Sequence, residues 1–241
     1  MALMLLHTTP DPVALTHWAT RKNWLSPDGD FGYALHALLA EAFDGRPPTP
    51  FRYMDEQGLL AYSEEDATVF YRHSEKVPSE VRRVLGLDRL RIRDFPSEFP
   101  VGKRLGFEVR VRPVIRTNAG KERDLYQYRM EQRVPGSTDA KPSREVIYRE
   151  WLEQRFSTDN ASRLITASMQ GFSLKRVVRR AQKSAENGMR KPTGINGPDA
   201  LFRGELEVAD TTAFTQLLVR GIGRHRAFGY GMLLLRPAWG S

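Results

Sequence analysis

The feature that most constrains the fold is an order of elements that occurs twice along 241 residues. "ALMLL" (2–6) has the composition of a strand, and "DPVALTHWATRKNWL" (11–25) reads as an amphipathic helix. "FGYALHALLAEAF" (31–43) predicts a stronger helix, with Asp30 as N-cap and Leu35, Leu38, Leu39 and Ala42 on one face. "PPTPFRYMDEQGLLAYS" (47–63) reads as two short strands about a turn near Gly58, and 64–86 as polar and partly helical. "KRLGFEVRVRPVIR" (103–116) alternates, with Leu105, Phe107, Val109 and Val111 out of step with Arg104, Glu108, Arg110 and Arg112. That is the pattern of a half-buried strand with a basic exposed side. The second half follows the same order. "RDLYQYRM" (123–130) is a candidate strand and "SREVIYREWLEQRF" (143–156) a helix. "GFSLKRVVRR" (171–180) and "ALFRGELEVA" (200–209) are strands. "DTTAFTQLLVR" (210–220) is a helix between Asp210 and Gly221, and "YGMLLLRP" (230–237) is the last strand. Twice βαββαβ predicts an α+β chain of two tandem ferredoxin-like (RRM-like) domains. The expected boundaries are 1–116, a linker at 117–143, and 144–241, with the first strand of the second domain placed within 121–131. A second loose segment, expected to be a mobile loop, is 184–199.

Composition narrows the partners. Lys and Arg number 37 against 29 Asp and Glu, a net charge of +8, which favours a polyanion. The excess is concentrated. Residues 103–123 hold Lys103, Arg104, Arg110, Arg112, Arg116, Lys121 and Arg123. Residues 175–191 hold Lys175, Arg176, Arg179, Arg180, Lys183, Arg190 and Lys191. Two basic blocks this far apart suggest an extended footprint rather than one anion pocket. There is no cysteine, so neither a disulfide framework nor a thiolate metal site is expected. No apolar run approaches the roughly 18–20 residues of a membrane span, and a cytoplasmic location with no membrane partner is expected. Neither H-x-x-x-H nor paired carboxylates at ligand spacing occur, so neither metal nor cofactor is expected.

The stretch "GIGRHRAFGYGMLLL" (221–235) sets four glycines, Gly221, Gly223, Gly229 and Gly231, about Arg224, His225 and Arg226. A dinucleotide fingerprint would follow a strand and open a helix. This loop follows a helix and opens a strand, and Arg226 stands where the third glycine belongs. The residues leave two readings open: a tight turn, or a loop whose N–H groups and cations meet phosphates along a nucleic-acid backbone.

In this context the sequence resembles the CRISPR-associated repeat-processing endoribonucleases of the CasE subfamily. The resemblance rests on the glycine loop before the last strand, "GFEVRVRPVIR" followed by "GKER", "YREWLEQRF", "LFRGELEVAD", "YALHALLAEAF" and "PPTPFRY", which fall in the family's order over nearly the whole chain. Residues 8–29 depart from it, because the first matching helix comes late. The resemblance implies a metal-independent cut on the 3′ side of a CRISPR repeat stem-loop by attack of the substrate's 2′-hydroxyl. It also implies a crRNA product that stays bound. The implied partners are that stem-loop RNA and the backbone and other subunits of a type I-E-like surveillance complex.

The resemblance assigns the proton chemistry to a histidine on the first matching helix, here His36, with Tyr33 matching a tyrosine found in some members. Helical geometry sets the two about 60° apart, at the edge of the leucine stripe. His225 is the second candidate, in a loop better suited to phosphate contact. His7, His17 and His73 are expected to be structural or surface residues. For RNA binding the candidates are Arg104, Arg110 and Arg112 on the exposed side of the alternating strand, with Arg116 beyond it, then Lys175, Arg176, Arg179 and Arg180. Gly221, Gly223, Arg224, His225, Arg226, Gly229 and Gly231 complete the set. Two alternatives stand beside this reading: a non-catalytic RNA-hairpin scaffold of the same fold, and a small-molecule enzyme holding a phosphate in the glycine loop.

Overall fold

The computed structural model describes residues 3–118, 120–133, 140–180 and 192–238, with the backbone alone for 177–180 and 192–195. The first four strands form one sheet. β1 (Leu3–Thr8) lies between β3 (Leu59–Ser63) and β4 (Arg91–Phe95), and β2 (Phe51–Tyr53) lies outside β3. Every pairing is antiparallel, with Leu5 opposite Tyr62 on one side and Arg93 on the other. Four helices join these strands: α1 (Pro12–Arg21), α2 (Gly32–Ala42), α3 (Ala67–Glu75) and α4 (Ser79–Leu85). The apolar stripe of α2 is buried as its spacing predicts. Leu35, Leu38, Leu39 and Ala42 pack with Leu15, Trp18, Phe51, Phe70 and Val84.

The second sheet has the order β10-β5-β9-β8. It comprises β5 (Arg104–Val111), β8 (Ser162–Arg180), β9 (Pro192–Val208) and β10 (Leu233–Pro237). β5 pairs antiparallel with β9 and with β10. A small hairpin, β6 (Val114–Arg116) and β7 (Glu122–Asp124), precedes α5 (Leu125–Glu131) and α6 (Arg144–Phe156), and α7 (Thr211–Arg220) precedes the last strand. Phe107, Val109 and Val111 are buried on one face of β5, and Phe107 meets Phe156 edge to face at 5.0 Å. The chain is thus α+β with two four-stranded antiparallel sheets, each in the order of a split βαβ.

Several expectations shift. The alternating strand 104–111 opens the second sheet instead of closing the first, whose fourth strand is β4, missed in the sequence. Residues 123–130, read as a candidate strand, begin at the end of β7 and continue as helix α5, where the Asp124 carboxylate accepts the Tyr126 N–H at 2.8 Å. Residues 117–143 therefore hold a strand and a helix within the span read as linker. Within 184–199, residues 192–199 belong to β9; the remainder lies outside the described residues. Asp30 is not the N-cap of α2. Phe31 occupies that position with no side-chain cap, and the Asp30 carboxylate accepts the Gly32 N–H at 2.9 Å. By contact density the chain divides into two units. Lys175–Asn196 and His225–Gly229 group with residues 1–97, and the remainder forms the other unit.

Candidate active site

The first unit gathers aromatic and imidazole rings at the start of α2. Gly32 lets another backbone approach there. A Cβ at this residue would stand 2.4 Å from the Phe228 carbonyl oxygen. Phe228 closes a short 3-10 turn, Arg226–Phe228, entered through His225 in a left-handed conformation (φ 63°). Three rings face Phe228. Tyr33 lies 6.1 Å away between ring centroids, His36 5.6 Å and His225 6.0 Å. Trp24 packs edge-on to Tyr33 at 5.6 Å, and Trp18 to Trp24 at 5.0 Å. Tyr33 and His36 are both half-buried, at the edge of the buried leucine stripe.

Burial sets the chemistry of His36. Its Nδ1 is sealed from solvent and makes no hydrogen bond among the described residues. Removing the imidazolium from water costs free energy that no acidic partner returns, so the pKa of His36 is lowered from its usual 6.5. The ring is neutral at physiological pH, the state required of a proton acceptor. Tyr33 adds a hydroxyl donor on the same helix.

The glycine loop is built from inside. The N–H groups of Gly221, Ile222, Phe228 and Gly231 donate to the carbonyls of Leu217, Gly231, His225 and Arg110 at 2.7–2.8 Å. Gly221, Gly229 and Gly231 are buried. The expected open row of N–H groups for phosphate does not include these positions, and their work is conformational. At Gly231 (φ +78°) a Cβ would lie 2.2 Å from the Ile222 carbonyl oxygen. Gly223 rests against the Trp151 ring. Arg224 is exposed, and its Nε donates to Glu122 at 2.6 Å. Arg226 and His225 are half-buried.

The basic strand divides into two kinds of arginine. Arg104 is 62% exposed and reaches Glu207 at 3.4 Å. Arg116 is exposed and donates to the Gly120 carbonyl at 3.3 Å. Arg110 instead forms a two-pronged pair with Asp199 (2.8 and 2.7 Å) and lies over the Tyr230 ring at 4.3 Å. Arg112 is 1% exposed. Gly197 makes room for it, since a Cβ there would stand 2.3 Å from Arg112 Nη2. The expectation that Arg110 and Arg112 present an open basic face is corrected: Arg112 is buried and Arg110 is half-buried, both against the Tyr230 ring. Lys175 is half-buried and Arg176 exposed; the side chains of Arg179 and Arg180 lie outside the described residues.

The sequence reading missed Phe228, Trp24, Asp199 and the pair Ser26 and Asp28, which hold the backbone of Arg176. The signal for Phe228 was present as the only large aromatic between the second and third glycines of the loop. Asp199 carried no local signal, because its partner lies 89 residues away.

Among known proteins, a family model described as CRISPR associated protein matches residues 9–237. Three solved structures are similar over nearly their whole length. The CRISPR endoribonuclease Cse3 bound to a 19-nucleotide RNA is 22% identical, with a TM-score of 0.64 and 98% of each chain covered. Thermus thermophilus Cse3, bound to an RNA representing a pre-cleavage complex, is 19% identical, with a TM-score of 0.61 and 98% of this chain and 100% of that one covered. Cas6e from Escherichia coli K-12 is 17% identical, with a TM-score of 0.53 and 99% and 100% covered. At these identities the likeness is one of fold. No curated protein sequence matches.

Proposed function

The chain belongs to the CRISPR-associated protein family, and from that premise we propose that it is an endoribonuclease that cuts CRISPR repeat RNA at the 3′ base of its stem-loop and keeps the hairpin product. The observation that carries this reading is the placement of Tyr33 and His36 about Phe228, with His36 stripped of solvent on one side and neutral. Neutral His36 accepts the proton of the 2′-hydroxyl at the cleavage site. The freed oxygen attacks the adjacent phosphorus, the bond to the 5′ oxygen breaks, and that oxygen takes a proton from water, giving a 2′,3′-cyclic phosphate and a 5′-hydroxyl. The Tyr33 hydroxyl donates a hydrogen bond at the reacting phosphate, and Arg226 adds positive charge beside it. The nucleophile comes from the substrate, so the chemistry calls for no metal.

Binding rests on cations that face solvent. The exposed Arg104, Arg116 and Arg176 are our candidates for contact with the phosphates of an A-form stem, whose deep, narrow major groove offers few base edges to a side chain. A protein that holds its product is suited to remain a subunit of a crRNA-guided surveillance complex.

The test is incubation of a labelled repeat stem-loop with protein in EDTA, wild type beside His36→Ala. One cut at the stem base by wild type, with binding but no cutting by the variant, is the expected outcome. Tight binding by wild type without cleavage would replace the enzyme with a hairpin-holding scaffold.

A further inference from the structure

The segment between α1 and α2 has no part in the proton chemistry described above. Its contacts are specific. Ser26 and Asp28 both reach Arg176 in β8, and they engage its backbone, not its charge. Ser26 Oγ donates to the Arg176 carbonyl at 2.5 Å, and the Arg176 N–H donates to Asp28 Oδ2 at 2.7 Å. β8 is the outer strand of its sheet. A hydroxyl and a carboxylate here serve the N–H and C=O that a neighbouring strand would otherwise satisfy. Ser26 Oγ also accepts the Asp28 N–H at 3.4 Å, so the two side chains share one turn. Ser26 is buried.

The same segment touches the other end of the site. Trp24, two residues before Ser26, packs edge-on to Tyr33 at 5.6 Å. Asp30, two residues after Asp28, accepts the N–H of Gly32 at the first residue of α2. Seven residues, 24–30, thus contact the Tyr33 ring, the start of the His36 helix and the backbone of the basic strand. All of these groups belong to the first unit.

We propose that residues 24–30 are a positioning clamp, in which Ser26 and Asp28 fix the basic stretch of β8 against the helix bearing Tyr33 and His36. The proposal rests on the RNA-processing reading for its consequence, but not for its geometry. Ser26 and Asp28 are positioning residues, because they act through the Arg176 backbone. Their hydrogen bonds remove freedom from a charged stretch that would otherwise lose it only when RNA binds. Preorganisation of this kind strengthens binding without adding a contact to the ligand.

Two measurements test it on the full chain. The first is amide exchange at Arg176 by NMR. Wild type and Asp28→Asn, which keeps an accepting oxygen, are expected to protect this amide. Asp28→Ala is expected to exchange at least about tenfold faster, and equal protection in Asp28→Ala would overturn the clamp. The second is binding of a repeat hairpin carrying a 2′-deoxy nucleotide at the cleavage site, which blocks reaction. The Ser26→Ala/Asp28→Ala double variant is expected to bind about tenfold more weakly, while Asp28→Asn binds as wild type. Wild-type affinity in the double variant, or equal loss in Asp28→Asn, would remove the positioning role. If wild type itself binds no hairpin, the functional reading fails, while amide exchange still decides whether the clamp exists.

Discussion

His36 and Arg110 are two polar groups drawn from water with opposite accompaniment. His36 has no acidic partner, and its desolvation lowers its pKa. In the proposed mechanism it acts as a base and must be neutral. The rate of the chemical step is therefore expected to show an acid limb whose midpoint lies below 6.5, the ordinary histidine value. A single-turnover pH–rate profile measures this, and an acid limb centred at or above 6.5 would contradict it. The linkage has the same direction. The unfolded chain takes up the proton first, so His36 destabilises the fold as pH drops below 6.5. His36→Ala is expected to lose roughly 10²–10⁴ in cleavage rate while retaining hairpin binding. Arg110 is accompanied: its side chain is 16% exposed and that of Asp199 9%, and two hydrogen bonds join them. Asp199→Ala leaves a guanidinium nearly buried without its carboxylate, an expected loss of about 3–5 kcal/mol. Arg104→Ala, on the same strand but mostly exposed, is expected to change stability by less than about 1 kcal/mol. Urea unfolding of the two variants provides the comparison.

Among the elements, α2 and the glycine loop depend on each other's backbone. Gly32 is the point of contact, where any Cβ meets the Phe228 carbonyl. No positive φ is involved, so Gly32→Ala tests closeness alone. It is expected to cost about 1–3 kcal/mol by overpacking and, by displacing Phe228 from Tyr33 and His36, to slow cleavage more than it weakens hairpin binding. Thermal unfolding and single-turnover rates read the two effects separately. Legibility in the sequence followed how strongly each element's burial pattern was imposed. α2 and β5 were readable because each buries a full apolar stripe, with Leu35, Leu38 and Leu39 on one and Phe107, Val109 and Val111 on the other. β4, "RIRDF", is an edge strand with no buried residue, so alternation had nothing to mark. In α5, Leu125, Tyr126, Tyr128 and Met130 gave a strand-like spacing, but only Leu125 is buried, and the Asp124 cap decides for helix. The expected place of Tyr33 and His36 at the stripe's edge followed from helical spacing alone, and both are half-buried there. Arg112 was misread because alternation predicts a second face without saying whether that face is covered.

Across the whole molecule, a net charge of +8 favours a polyanion, but enclosed arginines limit how much of that charge can reach one. Arg110 and Arg112 count toward the net charge and are too enclosed to approach a phosphate, whereas Arg104, Arg116 and Arg176 are exposed. Each phosphate neutralised by an exposed cation releases counterions and steepens the fall of affinity with salt by about 0.9 in log–log slope for a duplex. Three such contacts would give a slope of about −2.7, and so roughly a 40-fold loss between 50 and 200 mM salt. The Arg104→Ala/Arg116→Ala double variant is expected to make this slope shallower by about 2, with stability changed by less than about 1 kcal/mol per site. Fluorescence anisotropy of a non-cleavable repeat hairpin over a salt series measures the slope. An unchanged slope would move the footprint away from Arg104 and Arg116 and onto the basic stretch at Arg176. A slope lost in step with stability would mean that these arginines act on the fold and not on the RNA.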